Sequence, residues 1–167
     1  VARGTEAHVG PGATTEELIA EALEAEPDPE TGRRSWWHLR AEILGTRFDV
    51  AHHGRTGSYG WTRNNGANSQ ASQVFWESAR RKADPPHYVI RGHRHKRAKG
   101  SCEGIEVHQL GCWQMSTSYG HKVAPDSLPD IGALIVTCHP GAVRSAEVFT
   151  WEPDPAPVWR VEAPPQQ

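Results

Sequence analysis

Two histidine groups are the residues of this chain best suited to chemistry: Ala51-His52-His53-Gly54 and Gly92-His93-Arg94-His95. Neutral imidazole is the commonest metal ligand among side chains. Each group follows a short apolar run, Phe48-Asp49-Val50 before the first and Tyr88-Val89-Ile90 before the second. Both read as chain leaving a buried strand, where side chains can be presented to a ligand. If the strand conformation persists through the second group, His93 and His95 share one face. Three or four histidines converging at strand ends make a metal site the leading expectation. Asp49 lies three residues ahead of the first pair and could orient an imidazole, but the favoured reading has it facing solvent. Glu106-x-His108 puts a carboxylate and an imidazole on one strand face and reads as an ordinary exposed hairpin.

The elements that must hold these groups follow from length, composition and pattern. The chain has 167 residues, enough for one domain with a core. Its formal charge of −2 excludes a molecule that binds nucleic acid by overall charge, and its seven tryptophans argue for a folded, aromatic-rich interior. Cys102, Cys112 and Cys138 are odd in number and show no Cys-x-x-Cys spacing, which points to a reducing, cytoplasmic setting without a disulfide framework. No apolar run approaches a membrane span and no signal peptide is expected, so no membrane partner is expected. The opening Val1-Ala2-Arg3-Gly4-Thr5 reads as the end of a strand entering a turn, which predicts a preceding segment.

Thr14 and Glu17 form a capping-box pattern ahead of a helix whose apolar face is Leu18, Ile19, Ala22 and Leu23. Trp36 to Leu44 and Arg47 to Ala51 read as a hairpin around Gly45-Thr46. Arg55 to Asn68 is rich in Gly, Asn, Ser and Thr and reads as a long loop beginning at the first histidine pair. A helix from about Asn68 to Lys82 follows, burying Ala71, Val74, Phe75 and Ala79. His87 to Arg91 is a strand, Ala98 to Gly104 a turn, and Ile105 to Leu110 a strand. Ile131 to Thr137 and Val143 to Trp151 form a last antiparallel pair. The division is a domain over 1–150 and a Pro-rich tail over 151–167.

This order of motifs resembles the C-terminal half of the calcineurin-like metallophosphoesterases. There, a His-His or His-Gly follows one strand and a Gly-His-x-His follows a later one. Arg3-Gly4-Thr5-Glu6-Ala7-His8 sits where that family has its Gly-Asn-His-Asp/Glu turn. With the Trp-rich hairpin and Leu128-Pro129-Asp130-Ile131-Gly132, the pattern is similar to a branch met in phage and prophage genomes. The family's Asp-x-His and Gly-Asp-x-x-Asp motifs would precede Gly4, and no such sequence stands there. Thr5 occupies the place of the family's ligand Asn, and His8 lies two positions late.

The resemblance implies an α/β (α+β) fold: a metallophosphoesterase-type β-sandwich flanked by helices, of which this chain holds the later portion. It implies a phosphomonoesterase or phosphodiesterase with two divalent ions of Mn, Fe, Ni or Zn. His52, His93 and His95 would be metal ligands, His8 the general acid, and His53 a catalytic or substrate-contacting group. Arg55 and Arg94 would hold the substrate phosphate. Arg91, Arg94, Lys96, Arg97 and Lys99 crowd the second motif, making nucleic acid a candidate partner, with Tyr59 and Trp61 available for base stacking. Two other readings stand beside this one. The first is a degenerate or truncated relative acting as a metal- or nucleic-acid-binding module. The second is a single-ion, histidine-rich hydrolase or nuclease of another fold.

Overall fold

The computed structural model describes residues 1–5, 11–55, 60–115, 122 and 128–152. They form a mixed α/β arrangement whose main helices are α1 (Thr14–Ala22) and α2 (Arg63–Arg81), with seven strands. The strands are β1 (His38–Ile43), β2 (Thr46–Ala51), β3 (Tyr88–Arg91), β4 (Ala98–Cys102), β5 (Ile105–Gln109), β6 (Ile131–His139) and β7 (Val143–Trp151). The first five make one sheet in the order β1-β2-β3-β5-β4, and β6 and β7 make a separate two-stranded ladder. The β2–β3 and β3–β5 pairings are parallel, while β1–β2 and β4–β5 are antiparallel hairpins. Residues 153–167, which hold nearly all of the expected Pro-rich tail, lie outside the described residues.

Strand alternation sorts the sheet into two faces. One carries Val89, Ile105, Val107 and Ala98, which pack with Ala67 and Ala71 of α2 into the buried core, with Val74, Phe75 and Cys102 against it. Fully burying a Val or Ile side chain is worth about 1.5–3 kcal/mol, so this small cluster holds α2 onto β4 and β5. The other face carries Phe48, Tyr88 and His108, with Phe48 stacked on Tyr88 at 5.7 Å between ring centroids. The β6–β7 ladder meets that side, with the Arg144 guanidinium 5.7 Å from the Tyr88 ring and the Ala142 N–H donating to the Leu44 carbonyl. On the α2 side, a groove of about 610 Å³ remains over β1 and β2.

Five local expectations are corrected. The stretch read as a loop to Asn68 is helical from Arg63. Its asparagines do more than favour turns. Asn64 Oδ1 accepts from the Lys99 N–H at 3.2 Å, and Asn68 Oδ1 accepts from the Ser101 N–H at 3.0 Å. One helix turn apart, they satisfy N–H groups along edge strand β4, which would otherwise stand open. Ala98 to Cys102, expected as a turn, is that edge strand. The reversal is only Glu103-Gly104, both at positive φ, as a two-residue hairpin turn demands.

The capping box does not form. The Thr14 hydroxyl donates to the Pro11 carbonyl at 2.7 Å, and the N-cap is Ala13 in the left-handed region. Glu17 instead accepts from the Arg34 and Ser35 N–H groups and the Ser35 hydroxyl, tying α1 to the chain before β1. Leu18, Ile19 and Leu23 are exposed, and the buried residue of α1 is Ala20. His108, expected on an exposed hairpin, is only 5% exposed. Burial pushes its imidazole below the ordinary value, outweighing the pull of Glu106, whose Oε2 lies 3.3 Å from His108 Nε2.

Gly100 shows how tightly α2 sits. A Cβ there would stand 2.3 Å from the Asn68 nitrogen and 2.4 Å from the Ala67 carbonyl carbon. Gly100→Ala is expected to push α2 off β4 and cost about 1–3 kcal/mol, the usual range for overpacking. A lowered midpoint in urea unfolding checks this, with Gly104→Asn, where a Cβ meets nothing within 4 Å, as the mild comparison.

Candidate metal centre

The parallel register of β2 and β3 places Ala51 opposite Arg91. The next residues, His52 and Gly92, therefore leave the sheet side by side, and the Gly92 N–H donates to the His52 carbonyl at 2.9 Å. Parallel strands put their carboxyl ends together, and ligands of open α/β sheets are commonly bound outside those ends. Two motifs about forty residues apart in sequence are brought into contact by one ladder.

His52, His53 and His93 form a group whose ligand atoms all lie within 4.8 Å of one another. His52 Nε2 is 3.0 Å from His93 Nδ1, close enough for one neutral imidazole to donate to the other. The His53 and His93 rings are 4.3 Å apart at their centroids, and the His52 and His53 rings meet edge-on at 5.0 Å. His52 and His93 are half-buried and His53 is exposed, so the group is anchored on one side and open on the other. The His52–His93 pair fits a divalent ion. With metal–nitrogen bonds of about 2.0–2.1 Å, two imidazole nitrogens on one ion lie roughly 2.9–3.4 Å apart. The Thr5 hydroxyl lies 3.4 Å from His93 Nδ1, which brings the opening turn to the same place.

His95 does not belong to this group. The strand ends at Arg91, and His93 and His95 both take positive φ, 72° and 54°. The two-residue alternation that would have aligned them is lost there. Left-handed backbone at a residue other than glycine is uncommon, though histidine tolerates it better than most, and it clusters at functional sites. The His95 carbonyl accepts from the Asp130 N–H at 2.8 Å, fixing this loop to the start of β6. His53, assigned from sequence to catalysis or substrate contact, stands among the grouped donors. His8 and Tyr59 lie outside the described residues.

The five cations of the second motif do not form one surface. Arg91 is buried against Asp49, and Lys99 pairs with Glu106 at 2.8 Å. The Arg97 N–H donates to Asp130 Oδ2 at 2.7 Å, and Lys96 Nζ donates to the Leu128 carbonyl. Arg94 remains, and it is exposed. Arg55 is also exposed. Its N–H reaches Gln70 Oε1 at 3.3 Å, and its guanidinium lies 3.5 Å from Ser69 Oγ. Trp61 is exposed as well.

Asp49 is corrected from a solvent-facing residue to a buried one. Its Oδ1 accepts from Arg91 Nη2 at 2.5 Å, and its Oδ2 lies 2.9 Å from His38 Nε2. The sequence signal for this pairing was faint: an Asp and an Arg inside apolar strands, each one residue out of phase with its neighbours. The approximately 610 Å³ groove touches Asp49 and Arg91 but none of the three grouped histidines.

No family model matches the chain, and no curated protein does. Among solved structures, Vps29 from Entamoeba histolytica complexed with Zn²⁺ is similar over 68% of this chain at 10% identity and a TM-score of 0.41. This chain spans 59% of that protein's length. The Thermotoga maritima protein TM1076 matches over 83% of this chain and 74% of its own, with 10% identity and a TM-score of 0.42. Vps29 from Cryptosporidium parvum matches over 84% and 79%, with 12% identity and a TM-score of 0.40. These are likenesses of outline, and the chemistry rests on this chain's own residues. Among the described residues, no helix is long and apolar enough to cross a membrane.

Burial alone would push the Asp49 carboxyl up. The Arg91 charge and hydrogen bond and then His38 outweigh it, holding the group below its ordinary 3.8. A carboxyl depressed by folding contributes stability that is complete above the unfolded value and is lost as pH falls through the folded one. The urea midpoint is therefore expected to fall steeply below roughly pH 4. Asp49→Asn should flatten that acid limb, at the expense of stability near neutrality.

Proposed function

We propose that this chain is a metal-dependent phosphoester hydrolase of the metallophosphoesterase type. The observation that carries this is the meeting of His52, His53 and His93 at the carboxyl ends of two parallel strands. The order of the two histidine motifs along the chain supports the same reading. His52 and His93 would hold the ion, with His53 on its open side. A divalent ion bound there lowers the pKa of a coordinated water and offsets charge on a phosphoryl group.

The chain's own residues supply binding and order. Arg94 and Arg55 are the exposed cations on the chain that flanks the trio, and either guanidinium can grip phosphate oxygens through paired N–H groups. The Thr5 hydroxyl, 3.4 Å from His93 Nδ1, would stand beside the ion and not behind the ring. His8 is the proposed proton donor to the leaving alkoxide. The substrate is a phosphate ester, with a nucleic-acid backbone as one source. The binuclear centre is part of the proposal, and its second ion would draw on donors beyond the trio, of which His95 is nearest in sequence.

One observation favours a second reading, a single-ion centre. The grouped donors are three imidazoles with no carboxylate among them. Such a set suits Zn²⁺ or another borderline ion by itself.

Metal analysis of the chain after incubation with Mn²⁺ or Zn²⁺, alongside hydrolysis of bis(p-nitrophenyl) phosphate and p-nitrophenyl phosphate, tests the proposal. Turnover that depends on added metal is expected, and His52→Ala and His93→Ala should each lower it at least ~100-fold, the upper end of what outer-sphere changes cost. Two ions per chain uphold the binuclear centre, and one ion with turnover favours the second reading. Bound metal without turnover of either ester would replace the enzyme by a metal-binding module.

A further inference from the structure

We propose that Arg91 and Asp49 are positioning residues for the histidine trio: their buried ion pair sets how far His52 stands from His93. The inference rests on reading the trio as a metal centre. Arg91 is 7% exposed and Asp49 5%. Arg91 Nη2 donates to Asp49 Oδ1 at 2.5 Å, and Nη1 donates to the Asp49 carbonyl at 2.8 Å and to the Ile90 carbonyl at 2.9 Å. One guanidinium thus clamps both the side chain and the backbone of β2 to the last residue of β3. This clamp lies three residues before His52 on one strand and two before His93 on the other.

The chain after the first pair rests on the same side chain. A Cβ at Gly54 would stand 2.7 Å from Arg91 Cβ and 2.8 Å from Cγ, so the backbone following His53 crosses directly over the Arg91 stem. The Gly92 N–H holds the His52 carbonyl at 2.9 Å. The His52-His53 step is therefore fixed before, at and after the pair, and Arg91 or its neighbour makes each contact. Burial and full engagement remove Arg91 from any role in gripping phosphate. They also explain why arginine is needed. A lysine ammonium has no planar fork with which to reach carboxylate and carbonyl together.

A buried ion pair contributes little net stability beyond an apolar pair of similar volume, whereas breaking it from one side is costly. That asymmetry separates positioning from simple structural support. Co²⁺ is titrated into the full chain and followed by its visible absorption bands and by calorimetry, with thermal melting on the same samples. Asp49→Asn and Arg91→Lys are expected to weaken Co²⁺ at least ~10-fold and to alter the band intensities. The double variant Asp49→Leu/Arg91→Met is expected to melt near the parent while remaining at least ~10-fold weaker for Co²⁺. His38→Ala, which removes one of the two exposed partners of Asp49 Oδ2 and leaves Arg40 at 3.4 Å, should bind as the parent does.

Parent-like affinity and spectrum in the folded double variant, or in Asp49→Asn, would overturn the proposal. Should the double variant fail to fold, Asp49→Asn decides, because it keeps the side chain's shape. A parent chain that takes up no Co²⁺ would overturn the metal centre itself, and the positioning role with it. Loss confined to the variants distinguishes the two cases.

Discussion

The parallel ladder between β2 and β3 is the constraint on which the rest of the site depends. A parallel pairing requires a long crossover, and α2 with its flanking chain supplies it. Once Ala51 lies opposite Arg91, both strands end at the same level. Whatever follows each strand must then share one small region of space. The two histidine motifs are the residues that follow. Neither motif assembles a ligand set alone: the His52 and His53 rings stand nearly perpendicular, and His93 and His95 sit in a left-handed turn.

The crossover must in turn be held against the sheet. The apolar contribution is modest: two alanines of α2, four residues of the sheet and three partly buried neighbours. Polar and steric details complete it. Asn64 and Asn68 satisfy N–H groups of the β4 edge, and Gly100 lets the helix backbone approach where any side chain would collide. A helix built from Arg-Asn-Asn-Gly-Ala-Asn has poor intrinsic propensity in its first turns. It forms there because the sheet edge rewards its side chains, which is why the stretch reads as a loop when taken alone.

Charge inside the structure is used for geometry more than for binding. Arg91–Asp49, Lys99–Glu106 and Arg63–Asp130 each join segments distant in sequence or neighbouring strands. Asp130 also accepts from the Arg97 N–H, while its own N–H holds the His95 carbonyl. The loop carrying the second motif is thus pinned at both ends, by Arg91 at its start and by Asp130 beyond His95. Left-handed backbone at His93 and His95 costs of the order of 1–2 kcal/mol per residue, and such pinning is what holds it in place.

Much was legible in the residues themselves. The apolar runs ahead of His52 and His93, the Gly45 hairpin and the β6–β7 pair follow from local alternation and turn chemistry, which neighbouring residues determine. The identity of the histidine motifs was equally plain, because imidazoles after strands are a local pattern. What needed the tertiary structure was every property set by a partner distant in sequence. Asp49 is buried because Arg91, 42 residues away, meets it. His53 stands with His52 and His93, and His95 does not, because the strand stops at Arg91 and the backbone turns left-handed at His93. Local sequence specifies which groups can bind a metal. The register of two parallel strands decides which of them meet.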